Sequence, residues 1–301
     1  MTTSAPDNRR SGGAVAVGLV VVGLACQEIG ASFAVLLFPQ VGAIGVVALR
    51  LVFSAIMLML IARPNLRGHS RADWLTLIVF GLSLGGMNLL FYEALSRLQL
   101  GTTVTIEVLG PLVLSVATGR RASAWIWAAL AFGGVALLSR GGFGVLDPVG
   151  VAYAFGAAAL WAGYILMSKR TGGRFDGLDG LAIAMSIGAI VSLPFGISSA
   201  GLAMLSPGIL GIGAAIALFS SAIPYAFELV ALRRIPSSTF SILMSLSPAI
   251  ATLAGFVILQ QRITLLDGIA IALVVAASAG AVRGARSDSI PSATQLLGEA
   301  G

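Results

Sequence analysis

SLGGMNLLFYEALSRLQLGTTVTIEVLGP, residues 83–111, is two apolar runs joined by a short polar turn. Moved along the chain by 137 residues, it lies without a gap over SSAIPYAFELVALRRIPSSTFSILMSLSP, residues 220–248. Seven of the 29 positions are identical: Ser83 with Ser220, Ala94 with Ala231, Leu95 with Leu232, Arg97 with Arg234, Thr102 with Thr239, Leu109 with Leu246 and Pro111 with Pro248. A biased composition raises such a score, but the turn and the closing proline fall in the same places in both copies. The chain therefore reads as two halves, each with the same run–turn–run unit.

Outward from these two segments the apolar pattern continues. The chain is 57% hydrophobic and only 10% charged, with mean hydropathy +0.99. A soluble protein carries about 25% charged residues, so this one could not cover itself with a polar surface. Apolar stretches lie at 14–38, 41–62, 72–94, 100–118, 123–139, 147–168, 178–198, 207–232, 236–259 and 264–282. A helix needs about 20 such residues to cross the hydrocarbon. Barrel strands would instead alternate polar and apolar residues over about ten positions. The predicted class is an all-α polytopic membrane protein with ten transmembrane helices.

With the N-terminus in the cytoplasm, 14 of the 18 Lys and Arg residues fall inside, three fall outside (Arg97, Arg140, Arg262) and Arg50 lies within a span. That asymmetry is the positive-inside pattern, and it predicts both termini in the cytoplasm. Each half then holds five spans. Five is odd, so the halves enter the membrane in opposite senses, and inverted repeats of this kind are a transporter architecture. The expected organisation is a cytoplasmic tail at 1–11, a first five-helix repeat at 12–140, a second at 141–283 and a disordered tail at 284–301.

One cysteine, Cys26, excludes an internal disulfide, and one loop histidine, His69, excludes a His-based metal cluster or triad. No metal or cofactor is expected. The net charge of +6 lies in short scattered loops without a dense aromatic-interleaved patch, so nucleic acid is not an expected partner. The expected partners are the lipid bilayer and a small-molecule substrate, and a homodimer is compatible with the sequence.

Function is sought at the ionisable groups inside the apolar stretches, because each costs roughly 2.5–3.5 kcal/mol even on lenient insertion scales. Glu28, Arg50 and Glu107 sit well inside their spans. Thr103, Glu107 and Pro111 follow one another at four-residue spacing on one helix face. Proline there weakens a turn and frees a carbonyl, and Pro111 and Pro248 are candidate helix breaks. Arg50 is effectively never deprotonated, so it needs an anionic partner, a substrate carboxylate or water, and Glu28 or Glu107 are its expected protein partners. A structural ion pair and a direct substrate role are both open for this group. Asn88 and Tyr92 on the third span, and Ser221, Tyr225 and Glu228 on the eighth, form further polar faces. Trp161 and Tyr164 either wall a cavity or sit at the interface. Glu93 has Arg97 four residues on, the spacing of an interfacial salt bridge. Glu228 suits a pair or a site equally.

At these residues the chain resembles the threonine/homoserine exporter group, within the EamA-type branch of the drug/metabolite transporter superfamily. The resemblance is carried by GASFAVLLFPQVGAIGVVALRL at 30–51, GLSLGGMNLLFYEAL at 81–95, LGTTVTIEVLGPL at 100–112 and IPYAFELVALRRIPSSTFSILMSLSPAIATLAGFVIL at 223–259. It implies two inverted five-helix repeats and export of small amino acids from a bacterial cytoplasmic membrane, with the proton gradient as energy source. It also implies roles for Glu107 with Pro111 and for Glu228. Two positions depart from the group. Ser247 precedes Pro248, and Gln260–Gln261 ends the ninth span, where relatives commonly carry carboxylates. Export of other metabolites or drugs therefore stays open. So, from other classes, do a membrane-embedded enzyme and a non-transporting scaffold or sensor.

Overall fold

The structure, a computed structural model, describes residues 8–118, 123–138, 146–175, 177–224, 227, 231, 240 and 243–287. Every regular element among them is helical. Helix α1 (Asn8–Ala62) is two arms that meet at Gly42, whose φ of +68° and ψ of 166° suit only glycine. Pro39 also removes one ladder hydrogen bond just before the bend. The stretches expected at 14–38 and 41–62 fall on these arms. Helix α2 (Arg71–Leu95) starts at a capping box, in which Asp73 N–H donates to Ser70 Oγ (3.2 Å) and Ser70 N–H to Asp73 Oδ2 (3.0 Å).

The stretch at 100–118 divides into α3 (Leu100–Glu107) and α4 (Leu109–Thr118), interrupted at Val108 immediately after the buried acid. Helix α5 is Ser123–Leu138. Helix α6 (Pro148–Gly172) is capped by Asp147 and has proline in its first turn, where no N–H is needed. Helix α7 (Asp179–Ala200) passes through a 3₁₀ turn, Gly201–Leu205, into α8 (Pro207–Ala217), which continues as a π-helical turn at Leu218–Ala222. Helix α9 (Ser247–Leu259) starts after a turn at Ser245–Leu246, and α10 is Leu265–Ser287.

Four of these helices are long and apolar enough to cross a membrane: Val15–Ala62, Arg71–Leu95, Pro148–Gly172 and Asp179–Leu205. Shorter apolar helices occupy the other expected stretches. The tails differ from expectation at their inner edges. Helix α1 already begins at Asn8, and α10 runs to Ser287 because AVRGARS contains good helix formers and no proline. The remainder of both expected tails lies outside the described residues.

The exterior is as apolar as the core, and a few polar groups are buried within that core. Large apolar side chains such as Leu60, Trp125, Ile190 and Leu265 face outward, while Glu28, Asn88, Thr102, Thr103, Thr105 and Ser247 are buried. Helices α2 and α7 touch backbone to backbone, and a Cβ built on Gly85 would lie 3.0 Å from Gly188 Cα. Small residues let membrane helices approach in this way. Helix α2 also packs on α6, α3 on α9, α5 on α10, and α1 on α7, α8 and α9. The helix that ends at the interruption, α3, and α9 are therefore neighbours.

Candidate substrate cavity and its charges

Between these helices lies a cavity of about 270 Å³. That is just below the roughly 300–1,000 Å³ typical of ligand pockets, a size for a metabolite rather than a bulky drug. Glu28 from α1, Arg50 from its second arm, Asn88 and Tyr92 from α2, Glu107 from α3, and Trp161 and Tyr164 from α6 all line it. Ser220, Met244 and Ser247 close it from the second half of the chain. Residues far apart in sequence thus converge on one space.

Arg50 is held by neutral groups. Its Nη1 donates to Asn88 Oδ1 at 2.6 Å and to the Tyr92 hydroxyl at 3.4 Å, and its Nη2 donates to the Ser220 carbonyl at 3.3 Å. The guanidinium also stands over the Tyr92 ring, 5.5 Å from its centre, within cation–π range. Asn88 is oriented for this role because its amide donates to the Leu84 carbonyl of its own helix (2.8 Å). The Arg50 Nε–H is buried and has no acceptor among the described residues.

The carboxylates lie elsewhere in the same space. Glu28, only 2% exposed, accepts a hydrogen bond from Ser247 Oγ at 2.8 Å. Its helix is tied locally by Ser32 Oγ, which donates to the Glu28 carbonyl. Glu107 is partly exposed to the cavity and has neither a hydrogen bond nor an ion pair among the described residues. No ion pair within 4.0 Å joins Arg50 to Glu28 or Glu107. The carboxylate partner expected for Arg50 is therefore replaced by an amide, a phenol and a backbone oxygen.

Other expectations resolve residue by residue. Thr103 shares the Glu107 helix face but turns back onto the Gln99 carbonyl (2.9 Å), outside the cavity lining. Pro111 lies one turn beyond Glu107, and Pro248 is buried beside Ser247 in the first turn of α9. Tyr225 and Glu228 lie outside the described residues. Arg97 pairs not with Glu93 but with Asp147, just before α6, at 3.1 Å. Asp147 is the α6 N-cap, so the bridge reaches an anchored carboxylate. Gln261 Oε1 accepts from the Leu100 N–H at 3.2 Å, capping α3 from the end of α9. Ser220 as a holder of Arg50 and Ser247 as a donor to Glu28 were not foreseen.

The EamA-like transporter family matches residues 148–283. The threonine/homoserine exporter RhtA of Escherichia coli (strain K12) is 37% identical over 273 residues, covering 90% of this chain and 92% of that protein. The exporter of the same name from Salmonella typhimurium (strain SL1344) is 38% identical over 264 residues, 87% of this chain and 89% of that one. The chain belongs to the EamA-like transporter family. Within it, the chain groups with the threonine/homoserine exporters. A crystal structure only 21% identical in sequence superposes on this EamA-like transporter with a TM-score of 0.58, over 93% of this chain and all of that one. That likeness speaks to the fold alone. The family is one of transporters, which removes the membrane-embedded enzyme from the alternatives.

Proposed function

We propose that this EamA-like transporter exports small zwitterionic amino acids of the threonine and homoserine type from the bacterial cytoplasm. It does so by alternating access, with protons moving inward in exchange. The observation that carries the reading is a buried cavity containing one cation and two carboxylates that do not pair with one another. A buried charge without a counter-charge is expensive, and a zwitterion supplies both missing partners at once. The substrate carboxylate meets the guanidinium where Asn88, Tyr92 and Ser220 hold it and satisfies the idle Nε–H. The ammonium group takes the open Glu107, with Glu28 behind it. A proton and the ammonium compete for Glu107, and that competition links substrate release to proton entry.

The ten-span, inverted-repeat organisation (12–140 and 141–283, both termini cytoplasmic) belongs to the same proposal. Two features support it. The interruption at Val108 and the turn at Ser245–Leu246 fall three or fewer residues before the matched prolines Pro111 and Pro248. The matched serines also each face a glycine of the other half: a Cβ on Gly163 would lie 3.4 Å from Ser83 Oγ, and one on Gly30 would collide with Ser220 Oγ.

The test is efflux of a panel of labelled amino acids from proteoliposomes, with and without an imposed proton gradient. Threonine and homoserine are expected to leave faster than valine or glutamate, and faster again when the gradient is present. Equal rates from empty and protein-containing vesicles would remove the transport reading.

A further inference from the structure

Arg50 is held partly by a backbone oxygen, and that oxygen is available for a chemical reason. In an α-helix the Ser220 carbonyl would accept the N–H four residues on. Residue 224 is proline, which has none. The helix responds locally with a π turn at Leu218–Ala222, in which Ile223 N–H reaches the Leu218 carbonyl five residues back. π turns of this sort cluster at functional sites. The Ser220 carbonyl then accepts Arg50 Nη2 at 3.3 Å, across 170 residues of sequence.

The opposing helix is shaped to keep it there. Gly30 of α1 has no Cβ to collide with Ser220 Oγ, and two turns earlier α1 packs against Pro224 at Gly23, where a Cβ would make only ordinary contact, 3.7 Å from Pro224 Cα. The two glycines are seven residues apart and so share one face of α1. Asn88 grips the guanidinium from the first half of the chain, and Ser220 grips it from the second.

We propose that Pro224 is a positioning residue for substrate binding: by removing an N–H from the eighth span it frees the Ser220 carbonyl to orient the Arg50 guanidinium. This rests on the reading that Arg50 holds the substrate carboxylate. The relevant property is the missing N–H, not the pyrrolidine ring. It predicts that a residue lacking both ring and N–H substitutes for proline, whereas alanine, which restores the N–H, does not.

The experiment uses the full-length protein in proteoliposomes, with wild type, Pro224→Ala and a chain bearing the α-hydroxy acid counterpart of alanine at position 224. Two readouts are taken. One is the KM and Vmax of threonine efflux. The other is phenylglyoxal modification of Arg50, read on its peptide by mass spectrometry, which needs no transport. Pro224→Ala is expected to raise KM about tenfold with Vmax nearly unchanged, the signature of a lost charge-assisted hydrogen bond in binding. It is also expected to raise Arg50 modification, while the ester-containing chain behaves as wild type in both. Unchanged Arg50 modification in Pro224→Ala would overturn the proposal, and so would an ester-containing chain that fails as alanine does. If Pro224→Ala does not fold, an ester-containing chain with raised Arg50 modification overturns it alone. If wild type moves no amino acid, the transport reading fails by itself and the modification of Arg50 still decides the role of Pro224.

Discussion

The charges at the ends of the helices and the charges in the cavity are arranged in opposite ways. At the ends, Arg97 meets Asp147 at 3.1 Å and Arg174 meets Asp73 at 2.9 Å, with the arginines about 40% exposed. Such pairs contribute little, because water already solvates both partners. In the cavity, where an unpaired charge is costly, Arg50, Glu28 and Glu107 do not pair at all. Instead Arg50 leans on an amide, a phenol and a carbonyl, and Glu28 on a serine hydroxyl. A protein optimised only for stability would do the reverse. On the proposed function, the exposed pairs only fasten helix ends and the cavity charges are kept unpaired for a solute.

The sharpest way to break this contrast is to remove the cation. Arg50→Ala is expected to lower threonine efflux by about a hundredfold or more, because the carboxylate loses the only cationic partner among the described residues that line the cavity and Asn88 loses its donor. Arg50→Lys keeps the charge without the planar fork and is expected to fall between. Next comes Glu107→Gln, expected to abolish the response to a pH gradient while leaving some gradient-independent exchange. Full gradient-driven export from Glu107→Gln would dismiss its coupling role. Ser247→Ala removes the hydroxyl that donates to Glu28 and is expected to change the threonine KM by about tenfold, the scale of one hydrogen bond to a charged group. Ser247→Thr, which keeps the hydroxyl, should recover most of it.

The smallest effect is expected at the exposed pair. Arg97→Ala should leave efflux kinetics as in wild type and cause a slight loss of thermal stability. Its pH dependence has a definite sign. The hydrogen bond from Arg97, then that from the Val149 N–H, holds the Asp147 carboxyl below its ordinary value. The contribution is therefore complete above the ordinary Asp pKa of about 3.9 and is lost as the pH falls through the depressed one. Melting curves of wild type and Arg97→Ala should differ at neutral pH and converge in acid.

Much of this was legible in the sequence. Apolar run lengths found the helices because each must satisfy its own backbone in lipid, and the cost of intramembrane charge found Glu28, Arg50 and Glu107. Periodicity could not tell which charges meet. Arg97 has Glu93 at the right spacing on its own helix, yet a capping aspartate fifty residues away holds it. Likewise Arg50 has two acids at similar depth and uses neither. Such choices depend on helix rotation, which four-residue spacing does not determine. Ser220 left a trace that could have been read: Pro224 stands four residues after it, and a proline there removes the N–H that an α-helix would offer that carbonyl. Ser247 offered no comparable signal, since a serine before a proline at a helix start is common. Tyr225 and Glu228 remain sequence proposals, as they lie outside the described residues.

The central claim is that the cavity charges stand apart because a zwitterion bridges them. Calorimetric binding of threonine to the purified wild-type protein, compared with its methyl ester and its deaminated hydroxy-acid analogue, tests this most directly. The account predicts that threonine binds, while each analogue, lacking one of the two charges, binds at least about tenfold more weakly. Equal affinity for all three compounds would contradict it.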